Sequence, residues 1–129
     1  MRPRSDEEVA SWLAKADEDL GAAEVLLSCG KPLHATVCFH CQQAAEKALK
    51  ALVVALERRP PRTHDLAALV QVAASVPLGV VVTDATVLLN DFGVIPRYPS
   101  ADPPGRAQAE KALAAARAVY DAVVAALPR

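Results

Sequence analysis

Apolar positions recur at helical spacing through most of the chain. At about 100° per residue, Val9, Trp12, Leu13, Ala16, Leu20, Ala23 and Leu27 share one face while Lys15, Asp17, Glu18 and Glu24 fall mostly opposite. This predicts a first helix from Ser5 to near Ser28. Ser5 and Glu8 have capping-box spacing, Asp6 to Glu8 put negative charge in the first turn, and Gly30 and Pro32 follow the expected end. Asp19 lies at the edge of the apolar stripe, on the side of Trp12. A second helix is expected from Leu33 to Arg58, where Val37, Cys38, Cys41, Ala44, Ala45, Ala48, Leu49, Leu52, Ala55 and Leu56 fill a broad apolar arc suited to the centre of a bundle. The opposite arc carries His40, Gln42, Gln43, Glu46, Lys47, Lys50, Glu57 and Arg58, with Phe39, Val53 and Val54 set among them. Apolar groups inside a polar face suggest a partner surface, so these three are the expected dimer interface. The run Arg59-Pro60-Pro61-Arg62-Thr63 stops the helix, because each proline disfavours helix at the residue before it.

Thr63 is the expected N-cap of a third helix, His64 to Ser75, with Leu66, Leu69, Val70 and Ala73 inward. Pro77 and Gly79 break the chain. Val80-Val81-Val82 has no pairing candidate elsewhere, so it reads as the lead-in to a fourth helix from Thr83 to Phe92 and not as a strand. Gly93 to Gly105 holds four prolines and no periodicity, an irregular connection of a length that is often functional. A fifth helix, Arg106 to Leu127, aligns Ala109, Leu113, Ala116, Tyr120, Val123 and Leu127. The sum is a single all-α domain over residues 1–129, an antiparallel up-and-down bundle of about five helices.

Composition agrees. Alanine makes up about a fifth of the 129 residues, and five glycines leave few points for strand turns. Small side chains allow close helix approach but bury little apolar area each, so a core of this size is thin and a homodimer is expected. With 14 Lys and Arg against 15 Asp and Glu, no global field draws the chain to nucleic acid, and any such contact must be local. The acidic start at Asp6 lacks the apolar stretch of a secretory signal, and no run of residues is long and apolar enough to span a bilayer, so a cytoplasmic protein without a membrane partner is expected. Cys29, Cys38 and Cys41 are an odd number of thiols, which argues for the reduced state. His34, Cys38 and Cys41 at i, i+4 and i+7 have a spacing that can ligate zinc. They sit at the centre of the apolar face, where free cysteine is ordinary core, so no metal and no cofactor is expected.

No glycine-rich phosphate loop, carboxylate pair or serine elbow is present. What remains is a polar group: His40, Gln43, Lys47 and Lys50 along one side of the second helix, His64-Asp65 at the start of the third, and Arg97-Tyr98 in the proline-rich connection. The segments Trp12-Leu13-Ala14-Lys15-Ala16-Asp17-Glu18-Asp19-Leu20, Cys38-Phe39-His40-Cys41-Gln42-Gln43-Ala44-Ala45-Glu46-Lys47-Ala48-Leu49-Lys50, Thr63-His64-Asp65-Leu66 and Arg97-Tyr98-Pro99, in this order, resemble the HEPN family (higher eukaryotes and prokaryotes nucleotide-binding).

The resemblance covers nearly the whole chain. It implies an all-α bundle, commonly a homodimer, often paired with a minimal nucleotidyltransferase in a toxin-antitoxin-like system. Many members are metal-independent ribonucleases in which an Arg and a His a few residues after it supply a phosphate-binding cation and a general base. Here no histidine follows Arg97, and Arg59 and His64 have the spacing but enclose Pro60-Pro61. The expected ligand-binding group, for a nucleotide or an RNA phosphate, is Asp19, His40, Lys47, His64, Arg97 and Tyr98. His64, Arg97 and His40 are the candidates for catalysis. The alternatives are a ribonuclease with a non-standard Arg/His site and a non-catalytic dimeric interaction module.

Overall fold

The computed structural model describes residues 3–93 and 102–128. Five helices follow one another: α1 (Pro3–Ser28), α2 (His34–Ala55), α3 (Leu66–Val72), α4 (Val80–Asn90) and α5 (Arg106–Ala126), with a single 3-10 turn at Asp91–Gly93. No strand occurs among the described residues. The elements match the periodicity, and the differences lie at their ends. Ser5 is inside α1, which has already begun at Pro3, a residue suited to a first turn because its missing N–H has no helical partner there. Val80-Val81-Val82 is the opening turn of α4 itself. The third helix is shorter than expected, and its N-cap is Asp65, whose side chain accepts the Ala67 N–H at 3.0 Å. Thr63 instead accepts the Asp65 N–H, so its hydroxyl shapes the turn before the cap.

The first two helices form an antiparallel hairpin, with Asp19 of α1 beside His40 and Lys47 while Trp12 lies beside Lys50. The fifth helix begins where α1 ends, Arg106 donating to the Leu27 carbonyl, and finishes near Val9 and Val54 through Leu127. It therefore runs antiparallel to α1 and parallel to α2. Alanines line the seam: Ala16 and Ala23 of α1, Ala44, Ala45 and Ala48 of α2, and Ala109, Ala112 and Ala116 of α5 are all fully buried. Leu49, Leu52, Leu66, Leu69 and Leu89 supply the larger core groups.

The second helix is buried around most of its circumference, from Val37 to Ala55. This bears on two of the three residues expected at the interface. Val53 is fully buried and Val54 nearly so within one protomer, and Phe39 is half-buried against His40. Val53 and Val54 belong to the core clusters of one protomer, while Phe39 keeps part of its surface open. At the end of α2, Glu57 takes a left-handed φ of 58°, the Arg58 N–H bonds the Val53 carbonyl and the Glu57 N–H the Val54 carbonyl. That pair of bonds is a Schellman stop, and it turns Arg59 to Arg62 back towards α1.

Candidate functional site

Two carboxylates, one from α1 and one from α2, organise the polar side of α2. Asp19 is 8% exposed and accepts from Lys47 Nζ at 2.6 Å and from His40 Nδ1 at 2.8 Å. Glu46 is 4% exposed and accepts from His64 Nδ1 at 2.7 Å and from Lys50 Nζ at 3.2 Å. An ionised carboxylate only accepts, so each histidine carries a hydrogen on Nδ1 and leaves Nε2 for another partner. Burying such carboxylates is costly unless cations and donors satisfy them, and both have them.

On the helical wheel of α2 the two groups are adjacent. Gln42, Glu46, Lys50, Gln43, Lys47 and His40 follow one another around one arc, with Asp19 at its α1 edge and His64 at its α3 edge. His64 is held at its carbonyl and at its ring. Gln42 Nε2 donates to the His64 carbonyl at 2.9 Å, Gln43 Nε2 donates to Gln42 Oε1 at 2.9 Å, and Glu46 holds the ring. Asn90 at the end of α4 accepts the Leu66 N–H and donates to Asp65 Oδ1, which anchors the same turn. The imidazole nevertheless remains open, with 69% of its side chain exposed, against 28% for His40 and 24% for Lys47. The arrangement puts two oriented imidazoles and the Lys47 ammonium towards solvent, where they can meet a phosphate oxygen.

Asp19, His40 and Lys47 are brought together, and His64 joins the same side of α2 through Glu46. Arg97 and Tyr98 lie outside the described residues. Glu46, Lys50 and Gln42 are buried participants that the helical wheel assigns to a solvated arc. The signal for them was present in Val53, an apolar residue on the same line of the wheel, which marks that line as covered. Lys50 has a further partner, its Nζ lying 5.5 Å from the centroid of the Trp12 ring.

Cys38 and Cys41 are fully buried in α2, and burial pushes both thiols up, Cys41 to about 12 with the neighbouring Cys38 adding to the effect. They behave as small core groups, while Cys29 is exposed. Among the described residues no helix is long and apolar enough to cross a membrane.

Comparison with curated proteins finds no match. Two solved structures share the architecture. The crystal structure of TT1696 from Thermus thermophilus is 29% identical, superposes with a TM-score of 0.80, and the match covers 92% of this chain and 98% of that one. An archaeal HEPN homologue is 22% identical with a TM-score of 0.76, over 91% of this chain and 95% of that one, a likeness of fold. The family model described as HEPN domain matches residues 9–127, which takes in all of α2 to α5 and most of α1, and the chain belongs to the HEPN family.

Proposed function

We propose that this HEPN protein binds a nucleotide or RNA phosphate at the polar side of α2 and acts with a minimal nucleotidyltransferase partner in a toxin-antitoxin-like system. The observation that carries the binding half is the sharing of Asp19 by His40 and Lys47 and of Glu46 by His64 and Lys50, all along one arc of α2. Carboxylates that hold cations and imidazoles in fixed positions lower the ordering cost of meeting an anion. Arg97 and Tyr98 of the proline-rich connection are assigned to the same ligand. The partner half rests on the family's habit of pairing.

Calorimetry with ATP, GTP and short RNA tests the binding. Lys47→Ala and His64→Ala each remove one charged or hydrogen-bonding contact and weaken affinity by about tenfold. Affinity unchanged in both variants ends the assignment to this face. A minimal nucleotidyltransferase reading frame beside this gene, co-expressed with it, tests the partner, and the lack of such a neighbour or failure to co-purify ends that half alone.

A second reading, metal-independent RNA cleavage, is favoured by the Glu46–His64 contact. A carboxylate on Nδ1 orients Nε2 as a general base for a 2′-hydroxyl, with Arg97 as the cation for the phosphate. It requires 2′,3′-cyclic phosphate ends and loss of cleavage in His64→Ala and Arg97→Ala, and cleavage that persists in both assigns it to a contaminant.

The homodimer is proposed on a different surface from Phe39, Val53 and Val54. On α4, Val80, Val81 and Val87 are each about two-thirds or more exposed and Leu88 joins them, forming one stripe around Asp84. A groove of about 440 Å³ continues the stripe onto α5 between Asp84 and Lys111. An aspartate and a lysine on one patch are self-complementary under two-fold symmetry, so a second copy fits this face.

A further inference from the structure

Past the Schellman stop, the chain from Arg59 to Arg62 lies as a strap beside the first half of α1. A cleft of about 600 Å³ between them is lined by Trp12, Lys50, Arg59, Pro61 and Arg62. A second cleft of about 460 Å³, reaching Ser5 and Glu57, shares Glu8, Arg59 and Pro60 with the first. The two form one elongated groove along the strap, a shape that suits a length of polypeptide better than a compact molecule.

The strap is fixed before anything binds. Pro60 and Pro61 are half-buried and lock their own φ angles, and each keeps the residue before it extended. At one end Arg58 donates to the Val72 carbonyl at 2.8 Å, and at the other the Thr63 N–H bonds the Pro61 carbonyl at 2.9 Å. Two exposed arginines are thus presented on a backbone with little conformational freedom left to lose.

Their charge is also unmatched. Arg106 pairs with Glu110 and Arg117 with Glu24, whereas Arg59 and Arg62 have no hydrogen-bond or ion-pair partner among the described residues. Glu8 and Glu57 line the same groove and are exposed, yet neither closes an ion pair with them. With Lys50 added, the groove is cationic in a chain whose overall formal charge is -1. Lys50 already holds Glu46 and lies over the ring of Trp12, the one aromatic side chain along the groove, so that face gives no platform for a nucleic-acid base. The rest of Trp12 and the two prolines make an apolar wall beside two guanidinium forks. This lining matches carboxylate and aliphatic side chains interspersed along a peptide.

We infer that the groove docks an acidic segment of a partner protein, its carboxylates paired with Arg59 and Arg62 and its aliphatic groups against Trp12, Pro60 and Pro61. The assignment lies off the Asp19 group and does not depend on what the polar side of α2 binds.

Trp12 is the only tryptophan in the chain, so its emission reports on this groove. A tryptophan-free peptide of Glu and Leu shifts that emission saturably, and calorimetry gives the same affinity. Its counterpart of Gln and Leu binds about tenfold or more weakly, and so does the acidic peptide to the Arg59→Ala/Arg62→Ala double variant, whose altered side chains are exposed. Glu8→Gln removes a carboxylate that faces the same groove and tightens the acidic peptide about twofold.

Equal affinity for the acidic and the amide peptide overturns the charge pairing. Unaltered binding by the double variant, with the fold intact by circular dichroism, overturns the placement. A short single-stranded RNA that shifts Trp12 emission where the acidic peptide does not overturns the protein partner in favour of a nucleic acid. Binding of neither overturns the docking surface, whatever calorimetry with nucleotides shows for Lys47 and His64.

Discussion

Glu46 carries more of the site than any other single residue. It is buried, it satisfies a nearly buried lysine, and it fixes the ring that reaches furthest into solvent. Replacing it with alanine leaves the Lys50 ammonium without its anion, and breaking a buried pair in this way costs about 3 kcal/mol. Glu46→Gln keeps the shape and one acceptor and costs about half as much. Urea unfolding of the two variants checks the order, and equal stability of Glu46→Ala and the parent chain would show that Lys50 reaches water unaided. Cys41 makes a different statement. Its folded thiol titrates about 12 against an ordinary 9.0, so the folded state keeps its proton where the unfolded chain has lost it. The stability linked to this group is complete below pH 9 and is lost as pH rises from 9 towards 12. Denaturation midpoints should fall more steeply across that window in the parent than in Cys41→Ala, which lacks the group. Parallel slopes would show that the thiol is open to solvent.

At the scale of the element, the ends of α2 decide where the chemistry sits. Glu57 holds a left-handed conformation that costs a non-glycine residue about 1 kcal/mol. Glu57→Gly relieves that cost at an exposed position and raises the thermal midpoint by a few degrees. A lower midpoint would mean that the glutamate side chain makes a contact worth more than the conformational relief. The helices were legible in the sequence because each has a face with 3.6-residue periodicity, and Gly30, Gly79 and the prolines mark the breaks. The ends were less legible, as Asp65 shows: Thr63 and Asp65 both cap helices well, and the choice fell to Asn90, a residue 25 positions away that bonds the Asp65 side chain. The same holds within the site. Asp19, His40 and Lys47 are legible as members of one polar group and Lys50 as a neighbour of His40 and Lys47, while Glu46 and Gln42 read as ordinary surface. A wheel records the direction of a side chain from its own helix but not which neighbour lies over it.

For the whole molecule, the unresolved balance is between a thin core and an uncovered helix. The alanine seam brings α1, α2 and α5 together with little side-chain volume between them, and α4 leaves three valines and a leucine facing outward. A second copy seated on α4 would cover them. Sedimentation of the parent should therefore give a dimer, and Val81→Glu or Val87→Glu should give a folded monomer, since each charge would be buried against apolar groups in the interface. A dimer that survives both substitutions places the contact elsewhere.

The methyl-lined seam also sets a length. Asp19 reaches His40 and Lys47 from the neighbouring helix, so the gap between α1 and α2 fixes that arrangement. Side chains as short as alanine hold two backbones at nearly their closest approach and have no slack to give. Adding bulk at Ala16, Ala45 or Ala48 would spread the helices and stretch the hydrogen bonds that His40 and Lys47 make to Asp19. The placement of the Asp19 group is thereby entrusted to the smallest residues of the interior.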